Sequence, residues 1–213
     1  MDTVDLPWLH HSWHRAWQHM GLLAPDALLA QLLAAYTEPQ RHYHTLQHLG
    51  ECLTQVEPVL LQLDRPGEVE LALWFHDAIY DVKAHDNELR SAQWAAQALQ
   101  AAHASNAQVE KVHALIMATQ HGAAPINTLI DADTQRLLDI DLAILGASPE
   151  RFAQYDRQVR AEYAWVPHAI YRAKRQEVLQ GFLQRPHIYG SAEFTQRLEA
   201  QARTNLSSAL SAL

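Results

Sequence analysis

Residues 71–80 read Leu71-Ala72-Leu73-Trp74-Phe75-His76-Asp77-Ala78-Ile79-Tyr80, a run of residues suited to a protein interior that contains the polar doublet His76-Asp77. Such a run excludes water, and burying an unpaired carboxylate in it costs on the order of several kcal/mol. A divalent metal ion would offset that cost, because it stabilises a carboxylate and a neutral imidazole together. The chain contains 14 histidines, so further ligands are at hand. The doublet therefore predicts a metal site inside a helical core.

Length and composition predict one domain and a cytoplasmic location. A chain of 213 residues can bury a core without disulfide support. Its single cysteine, Cys52, cannot form an internal disulfide, and the sequence starts without the basic and apolar regions of a signal peptide. No uncharged apolar stretch of about 18 residues occurs, which argues against a membrane partner. We expect a single helical domain over residues 1–213, with a metal-site core at about 41–145 and C-terminal helices at 149–213 packing on it.

The charge distribution argues against long nucleic acids as partners. The net charge is −8, whereas a general nucleic-acid binder needs a basic stripe that neutralises phosphates. Between Arg151 and Arg185, however, seven basic residues stand against three acids. Such a segment can hold a small phosphorylated ligand, or its charges can form ordinary ion pairs on solvated helix faces.

The chain is predicted to be helical almost throughout. Ala, Leu, Gln, Glu and Arg dominate the composition, and glycine and proline mainly separate the long segments. No alternating run of β-branched residues, which would predict a strand, is present. Ser105 with Gln108 forms a capping-box pattern, Ser148 before Pro149 is typical of a helix start, and Gly21 can end the first helix. The expected fold is all-α, a bundle of about ten helices at residues 5–19, 26–35, 45–63, 66–80, 86–103, 107–121, 133–145, 149–164, 168–184 and 192–211.

Two other segments combine apolar runs with metal-capable side chains. His44 and His48 are four residues apart, so they share one face of the third predicted helix. The segment RLLDIDLAILG, which begins at Arg136, places Asp139 and Asp141 in an apolar run, although aspartate is a poor mid-helix residue and is seldom buried alone. Either a metal binds between these helices and the doublet, with His48 as a further ligand, or Asp139 or Asp141 points outward and pairs with Arg136.

The order His48, His76-Asp77, Asp141 resembles the H…HD…D signature of the HD-domain superfamily of metal-dependent phosphohydrolases. Longer segments across residues 5–206 resemble a bacterial family of predicted HD-superfamily phosphohydrolases with an uncharacterised substrate. They are Arg41-x-Tyr43-His44-x-x-x-His48, Trp74–Asp81, Asp86-Asn87-Glu88-x-x-Ser91-Ala92, Ala118-Thr119-x-His121, Asp139–Gly146, Arg160–Tyr163 and Ala202-Arg203-x-Asn205-Leu206. The resemblance implies that His48, His76, Asp77 and Asp141 ligate one divalent ion, with Mn²⁺, Fe²⁺, Ni²⁺, Mg²⁺, Co²⁺ and Zn²⁺ as candidates.

The resemblance also implies how such a site works. The ion acidifies a water molecule and draws charge from a phosphoryl group. Asp77 is then a catalytic ligand, and Asp81, Glu88 or His121 can act as general base or orient the water. As alternatives, Asp81 can simply end its helix, Glu88 can belong to an acidic first turn, and His121 can be a histidine at a helix end. The candidate contacts to a substrate phosphate or base, each with a purely structural alternative, are Arg41, Tyr43, His44, Arg160 and Arg175.

Residues after the doublet separate this chain from better-known HD enzymes. Tyr80 stands where the HDxxED motif of ppGpp hydrolases has a glutamate, and Ala78-Ile79-Tyr80 departs from the HD-x-G-K motif of cyclic-di-GMP phosphodiesterases. The chain is therefore not expected to have either of these two activities. We expect hydrolysis of a small phosphorylated metabolite or nucleotide. The alternatives are a di-iron HD-type oxygenase with His121 as an extra ligand, and a metal-stabilised nucleotide sensor without turnover.

Tryptophans recur along the first predicted helix, at Trp8, Trp13 and Trp17. Their spacing of five and four residues predicts a stripe that packs inside the chain or against a second copy of it. We expect packing inside the chain, and a homodimer is the alternative.

Overall fold

The computed structural model describes residues 6–120 and 130–213, and this part of the chain is helical with no β-strand. The predicted all-α fold of about ten helices is confirmed. The α-helices are α1 (Leu6–His19), α2 (Asp26–Ala35), α3 (Leu46–Val56), α4 (Pro66–Phe75), α5 (Asn87–Ala101), α6 (Asn106–Ala118), α7 (Ala132–Asp141), α8 (Pro149–Glu162), α9 (His168–Leu183) and α10 (Ala192–Ala212), with 3-10 helices at Glu57–Gln62 and Leu142–Gly146.

Several helix boundaries follow from the local signals in the sequence. Ser105 and Gln108 form a full capping box at the start of α6. The hydroxyl of Ser148 accepts a hydrogen bond from the backbone N–H of Arg151 at the start of α8. Gly21 has a φ of +73° just after α1, a left-handed conformation that glycine adopts without strain. These three helix boundaries could be predicted from the sequence because each depends on neighbouring residues alone.

The prediction of a helix over 66–80 is wrong at its C-terminal end, because α4 stops at Phe75 and His76 is its cap. The N–H of Ala78 already bonds the carbonyl of Phe75 at 2.9 Å, a turn that is tighter than an α-helix. The carbonyls of Asp77 and Ala78 accept hydrogen bonds from Arg41 instead of from later helical amides. The doublet therefore lies at the end of a helix and not within one.

Two other predicted helices change type before they end. The helix expected over 45–63 becomes a 3-10 helix at Glu57, because Pro58 has no N–H to donate to the α-helical ladder. The helix expected over 133–145 becomes a 3-10 helix after Asp141. Asp141 is thus the last residue of α7.

The first of two compact units covers Met1–Leu137 and is built around α4. Every residue of α4 from Gly67 to Phe75 is buried. Trp13 and Trp17 are fully buried, and the Trp13 ring lies 5.3 Å from that of Trp74. Trp13 and Trp17 of the stripe therefore pack within the chain, as expected, whereas Trp8 is half-buried. Burial of the two large side chains is a major source of stability.

The second unit covers Leu138–Leu213 and is held together by side chains that bind backbone groups. Asn205 on α10 donates to the carbonyls of Leu145 and Ala147 at 2.8 and 2.9 Å. A Cβ atom added to Gly146 would lie 2.6 Å from the Cβ of Leu198, so only glycine fits there. These contacts explain why the 3-10 helix Leu142–Gly146 packs closely on α10.

None of the helices in the described ranges combines the length and the apolar character that crossing a bilayer requires.

Candidate metal centre

Helix α3 supplies one wall of the candidate site. Thr45 caps it by accepting a hydrogen bond from the N–H of Gln47 at 3.3 Å. His48 and Cys52 lie one turn apart, on the face that also carries the buried Leu49, Leu53 and Val56. Because residues at i and i+4 share a helix face, the imidazole and the thiol lie side by side. Both are almost completely buried.

The end of α4 supplies the opposite wall, and Arg41 fixes its shape. The buried guanidinium of Arg41 donates to the carbonyls of Asp77 at 2.6 Å and Ala78 at 2.9 Å. It also donates to the carbonyl of His44 and to the carboxylate of Glu38. The arginine therefore ties the segment before α3 to the doublet at the end of α4.

Three ligand-type atoms converge where the two walls meet. The Nε2 atoms of His48 and His76 are 3.1 Å apart. Oδ2 of Asp77 lies 3.4 Å from Nε2 of His48 and 3.1 Å from Nε2 of His76. Adjacent ligands of an ion with bonds of about 2.0–2.2 Å are separated by roughly 3.0–3.5 Å. The triangle formed by His48, His76 and Asp77 therefore has the dimensions of one face of a metal coordination shell.

The tautomer of His76 also suits a metal ligand. Its Nδ1 lies 2.8 Å from the carbonyl oxygen of Leu73, which can only accept a hydrogen bond. The proton of a neutral His76 is therefore on Nδ1, and the lone pair of Nε2 points at the triangle. This backbone contact is the arrangement that commonly orients metal-binding histidines.

The carboxylate of Asp77 is ionised in these surroundings. Burial raises the pKa of Asp77, but the imidazoles, when protonated, lower it more, first through the charges of His76 and His44 and then through hydrogen bonds from His48 and His76. The pKa is therefore held well below its usual range. An anionic oxygen is what a divalent cation requires of a carboxylate ligand.

Among residues 6–120 and 130–213, one group of four buried side chains could hold a metal ion: His48, Cys52, His76 and Asp141. The first three lie in the first unit, and one ligand atom from each is within 4.8 Å of the others. The fourth ends α7. Three of the four predicted ligands are in this group, and the fourth predicted ligand, Asp77, contacts both histidines. The residues present therefore fit a metal ion, whose identity stays open.

Aromatic side chains surround the two histidines. The ring of His44 stacks on Tyr80 with 4.0 Å between centroids, and Tyr43 lies 4.7 Å from His48. Tyr36 is fully buried and donates to the carbonyl of Trp74. Burial raises the pKa of Tyr36 to about 12, although the charge of His76 acts to lower it. This phenol therefore stays protonated. His44 and Tyr80 are only half-buried and form the accessible part of the ring cluster.

The alternative in which Asp81 simply ends a helix is wrong, because α4 ends at Phe75. Asp81 is exposed in the loop between α4 and α5, where its N–H donates to the side chain of Asn87 at 3.0 Å. The hydroxyl of Ser91 likewise accepts from the N–H of Ile79. Asn87 and Ser91 thus hold this loop against α5. Glu88, in the first turn of α5, is half-buried, and a general-base role for Asp81 or Glu88 stays a prediction.

The predicted substrate residues fall in different places. Tyr43 and His44 adjoin His48, and Arg41 uses its donors mainly on backbone carbonyls. Arg160 and Arg175 belong to the second unit, where Arg160 donates to the carbonyls of Tyr163 and Val166, and Arg175 donates to Asp156. Contact of any of these residues with substrate stays a prediction. His121 lies outside the described residues.

The two aspartates of the RLLDIDLAILG segment have separate roles. Asp139 is buried, and its carboxylate accepts from the backbone N–H groups of Gly190 at 2.9 Å and Ser191 at 2.7 Å. It therefore supports the start of α10. The alternative in which Asp139 points outward toward Arg136 is wrong, and Asp141 is the aspartate that joins the metal-capable group.

Sequence reasoning missed Cys52 and Tyr36 as neighbours of the site. For Cys52 a signal existed, since it lies four residues after His48 and therefore shares its helix face. For Tyr36 there was none, because only the tertiary fold brings the end of α2 next to α4.

Comparison of the chain with protein-family models, with curated proteins and with solved structures finds no match. Any function assigned to the protein therefore rests on its residues and on the geometry of the site.

Proposed function

We propose that this protein is a metal-dependent phosphohydrolase of the HD-domain type that acts on a small phosphorylated metabolite or nucleotide. One observation carries the proposal: Nε2 of His48, Nε2 of His76 and Oδ2 of Asp77 form a triangle with edges of 3.1–3.4 Å. Two neutral imidazoles and a carboxylate make up a donor set that suits a divalent transition metal with open positions.

The four proposed ligands and their neighbours have defined tasks in this proposal. His48, His76, Asp77 and Asp141 would hold the ion, and the carbonyl of Leu73 keeps the His76 lone pair directed at it. When bound, a divalent ion acidifies water and withdraws charge from a phosphoryl group. Asp81, Glu88 and His121 are the proposed candidates for accepting a proton from the attacking water.

The substrate side of the proposal rests on the ring cluster. His44 and Tyr80 stack beside His48 and are half-buried, so their edges can contact a phosphate or a base. Arg41 positions the Asp77 and Ala78 carbonyls and thereby the shape of the site. Arg160 and Arg175 remain proposed phosphate contacts.

A screen of phosphate release tests the proposal. The protein is stripped of metal, reloaded separately with Mn²⁺, Fe²⁺, Co²⁺, Ni²⁺, Zn²⁺ or Mg²⁺, and offered phosphomonoesters, phosphodiesters and nucleotides, with elemental analysis of the same samples. We expect turnover of at least one class with one ion bound per chain. Asp77→Ala is expected to lower that turnover by about 10³-fold or more, because both the carboxylate ligand and its charge are lost.

His85→Ala is the matched control, since His85 is an exposed histidine in the loop after the doublet. It should leave metal content and turnover unchanged, whereas His76→Ala should abolish both. A wild-type protein that binds its metal but releases no phosphate from any class would overturn the hydrolase proposal in favour of a sensor. Two irons per chain would favour the oxygenase.

A further inference from the structure

A stacked pair of rings lies beside the candidate metal centre in the first unit. The imidazole of His44 faces the phenol ring of Tyr80, with 4.0 Å between the centroids and 25° between the planes. Both side chains are half-buried, and 19% of the Asp77 side chain is exposed. The His44–Tyr80 stack is therefore a partly accessible aromatic surface next to the ligand triangle.

Neighbouring side chains hold the stack in place. The ring of Tyr43 meets that of His44 edge-on, with 4.9 Å between centroids. The guanidinium of Arg41 lies over the ring of Tyr80, 5.6 Å from its centroid. A surface that is already ordered in this way loses little conformational entropy when a ligand packs on it.

The arginine beside the stack is not available to bind a second phosphate group. Arg41 is only 5% exposed, and its guanidinium already donates to three backbone carbonyls and to the carboxylate of Glu38. The stack therefore offers a ligand mainly ring surface. Flat aromatic groups gain binding free energy from such a surface, and every nucleobase has a π face that can stack.

We infer that the His44–Tyr80 stack binds the base of a nucleotide whose phosphate lies at the ligand triangle, so that this site takes nucleotides in preference to sugar phosphates. The inference rests on the proposed function and narrows its substrate class. The ring of His44 lies 5.9 Å from that of His48, a gap that the ribose of a 5′-nucleotide can bridge. Because stacking depends on the face of a base and not on its edge, purine and pyrimidine nucleotides should both bind.

A matched set of ligands isolates the contribution of the base. Phosphonate analogues of adenosine monophosphate, uridine monophosphate and ribose 5-phosphate resist hydrolysis and differ only in the base. Their affinities are measured by titration calorimetry with the full chain reloaded with each of the six ions in turn. We expect the wild-type protein to bind both nucleotide analogues about 10-fold or more tightly than the ribose analogue, as base–aromatic stacking of this kind gives.

Variants of the stack assign that preference to its rings. Tyr80→Leu removes the phenol ring and should reduce the preference for nucleotide analogues to about 2-fold or less. Tyr80→Phe keeps a ring and should retain the preference, a result that a role for the hydroxyl alone does not give. His85→Leu, which removes an exposed ring from the loop between α4 and α5, is the matched control and should leave all three affinities unchanged.

The outcomes separate this inference from the proposed function. Equal affinity of the wild-type protein for the nucleotide and ribose analogues contradicts the inference, even if sugar phosphates are hydrolysed. A nucleotide preference that Tyr80→Leu leaves intact also contradicts it, because the base then lies elsewhere.

A preference that depends on Tyr80, together with no phosphate release from any nucleotide, supports the inference and contradicts the hydrolase. Wild-type protein that binds none of the analogues contradicts the inference, while phosphate release still decides the hydrolase. Circular dichroism checks the fold of each variant, and the wild-type comparison of ligands decides the question even if Tyr80→Leu fails to fold.

Discussion

Two acidic groups of the first unit form a contrast, Glu70 near the middle of α4 and Asp77 just past its end. Glu70 is completely buried, and its carboxylate accepts from the hydroxyl of Ser12 at 2.7 Å and from Arg15 at 2.6 and 3.2 Å. Asp77 is slightly less buried, with 19% of its side chain exposed, and its near neighbours are two imidazoles.

The difference shows what a buried carboxylate does and does not indicate. Glu70 has an arginine of opposite charge, so it forms a closed ion pair that requires no metal. Asp77 is surrounded by histidines whose nitrogens can themselves be metal ligands, and the donors point to one place. Burial of an acid is therefore not the signal for a metal site; the chemistry of its neighbours is.

The largest effect should come from opening the Glu70 pair. Glu70→Gln removes the charge that balances Arg15 and should lower the free energy of unfolding by about 3 kcal/mol, as expected for a mostly buried pair that loses one partner. Urea denaturation measures it. Glu57→Gln is the matched control, because Glu57 binds the same arginine but is half-exposed, and it should cost less than about 1 kcal/mol. Loss of metal binding by Glu70→Gln would break the contrast between the two acids.

A bound metal ion should stabilise the protein only through the site that contains Asp77. At a metal concentration about 100 times the dissociation constant, the wild-type free energy of unfolding should rise by about 2.7 kcal/mol, because the ion binds the folded state. Asp77→Ala and His76→Ala should show no rise, and Glu70→Gln should retain it in full. Thermal unfolding with and without metal gives the answer. An equal rise in all of these proteins would mean that the ion binds elsewhere.

In the second unit, Asp139 is a buried acid that, like Glu70, is satisfied by hydrogen bonds from the protein and is not expected to bind metal. Asp139→Ala leaves the N–H groups of Gly190 and Ser191 without their acceptor, and we expect a loss of about 1–2 kcal/mol in unfolding free energy. Metal content, measured by elemental analysis, should stay at the wild-type level. A variant of normal stability that has lost its metal would reverse the roles assigned to Asp139 and Asp141.

The smallest effect concerns Asp131, an exposed acid with a cation as partner. Burial slightly raises its pKa, but Lys111 and the N–H and hydroxyl of Thr134 lower it more, to about 2. Because the pKa is lower in the folded protein than the ordinary value near 4, the stabilisation is present above about pH 4 and is lost as the pH falls through about 2.

The comparison of wild type with Asp131→Asn measures this contribution. The difference in unfolding free energy should stay below about 1 kcal/mol at neutral pH, since solvent screens an exposed pair. It should shrink as the pH is lowered from about 5 toward 3. A difference that grows over this range would have the wrong sign for a depressed pKa.

The sequence by itself determined much of this protein. The helical class, the capping box at Ser105, the N-cap at Ser148 and the turn at Gly21 follow from local rules, because each depends on residues within one turn of the chain. The same locality allowed the doublet His76-Asp77 and the neighbour His48 to be singled out.

Only the tertiary structure decided how the buried polar groups are partnered. Glu70 and Arg15 are 55 residues apart, and Asp139 meets its amide partners 51 and 52 residues later. The end of α4 at Phe75 depends on α5, because the N–H of Ile79, which a longer helix would donate to the carbonyl of Phe75, donates to the hydroxyl of Ser91. Cys52 joins the metal-capable group because α3 packs against the end of α4. Hydrogen bonds and metal ligands join residues by position in space, and spacing along the chain gives that position only within a single helix.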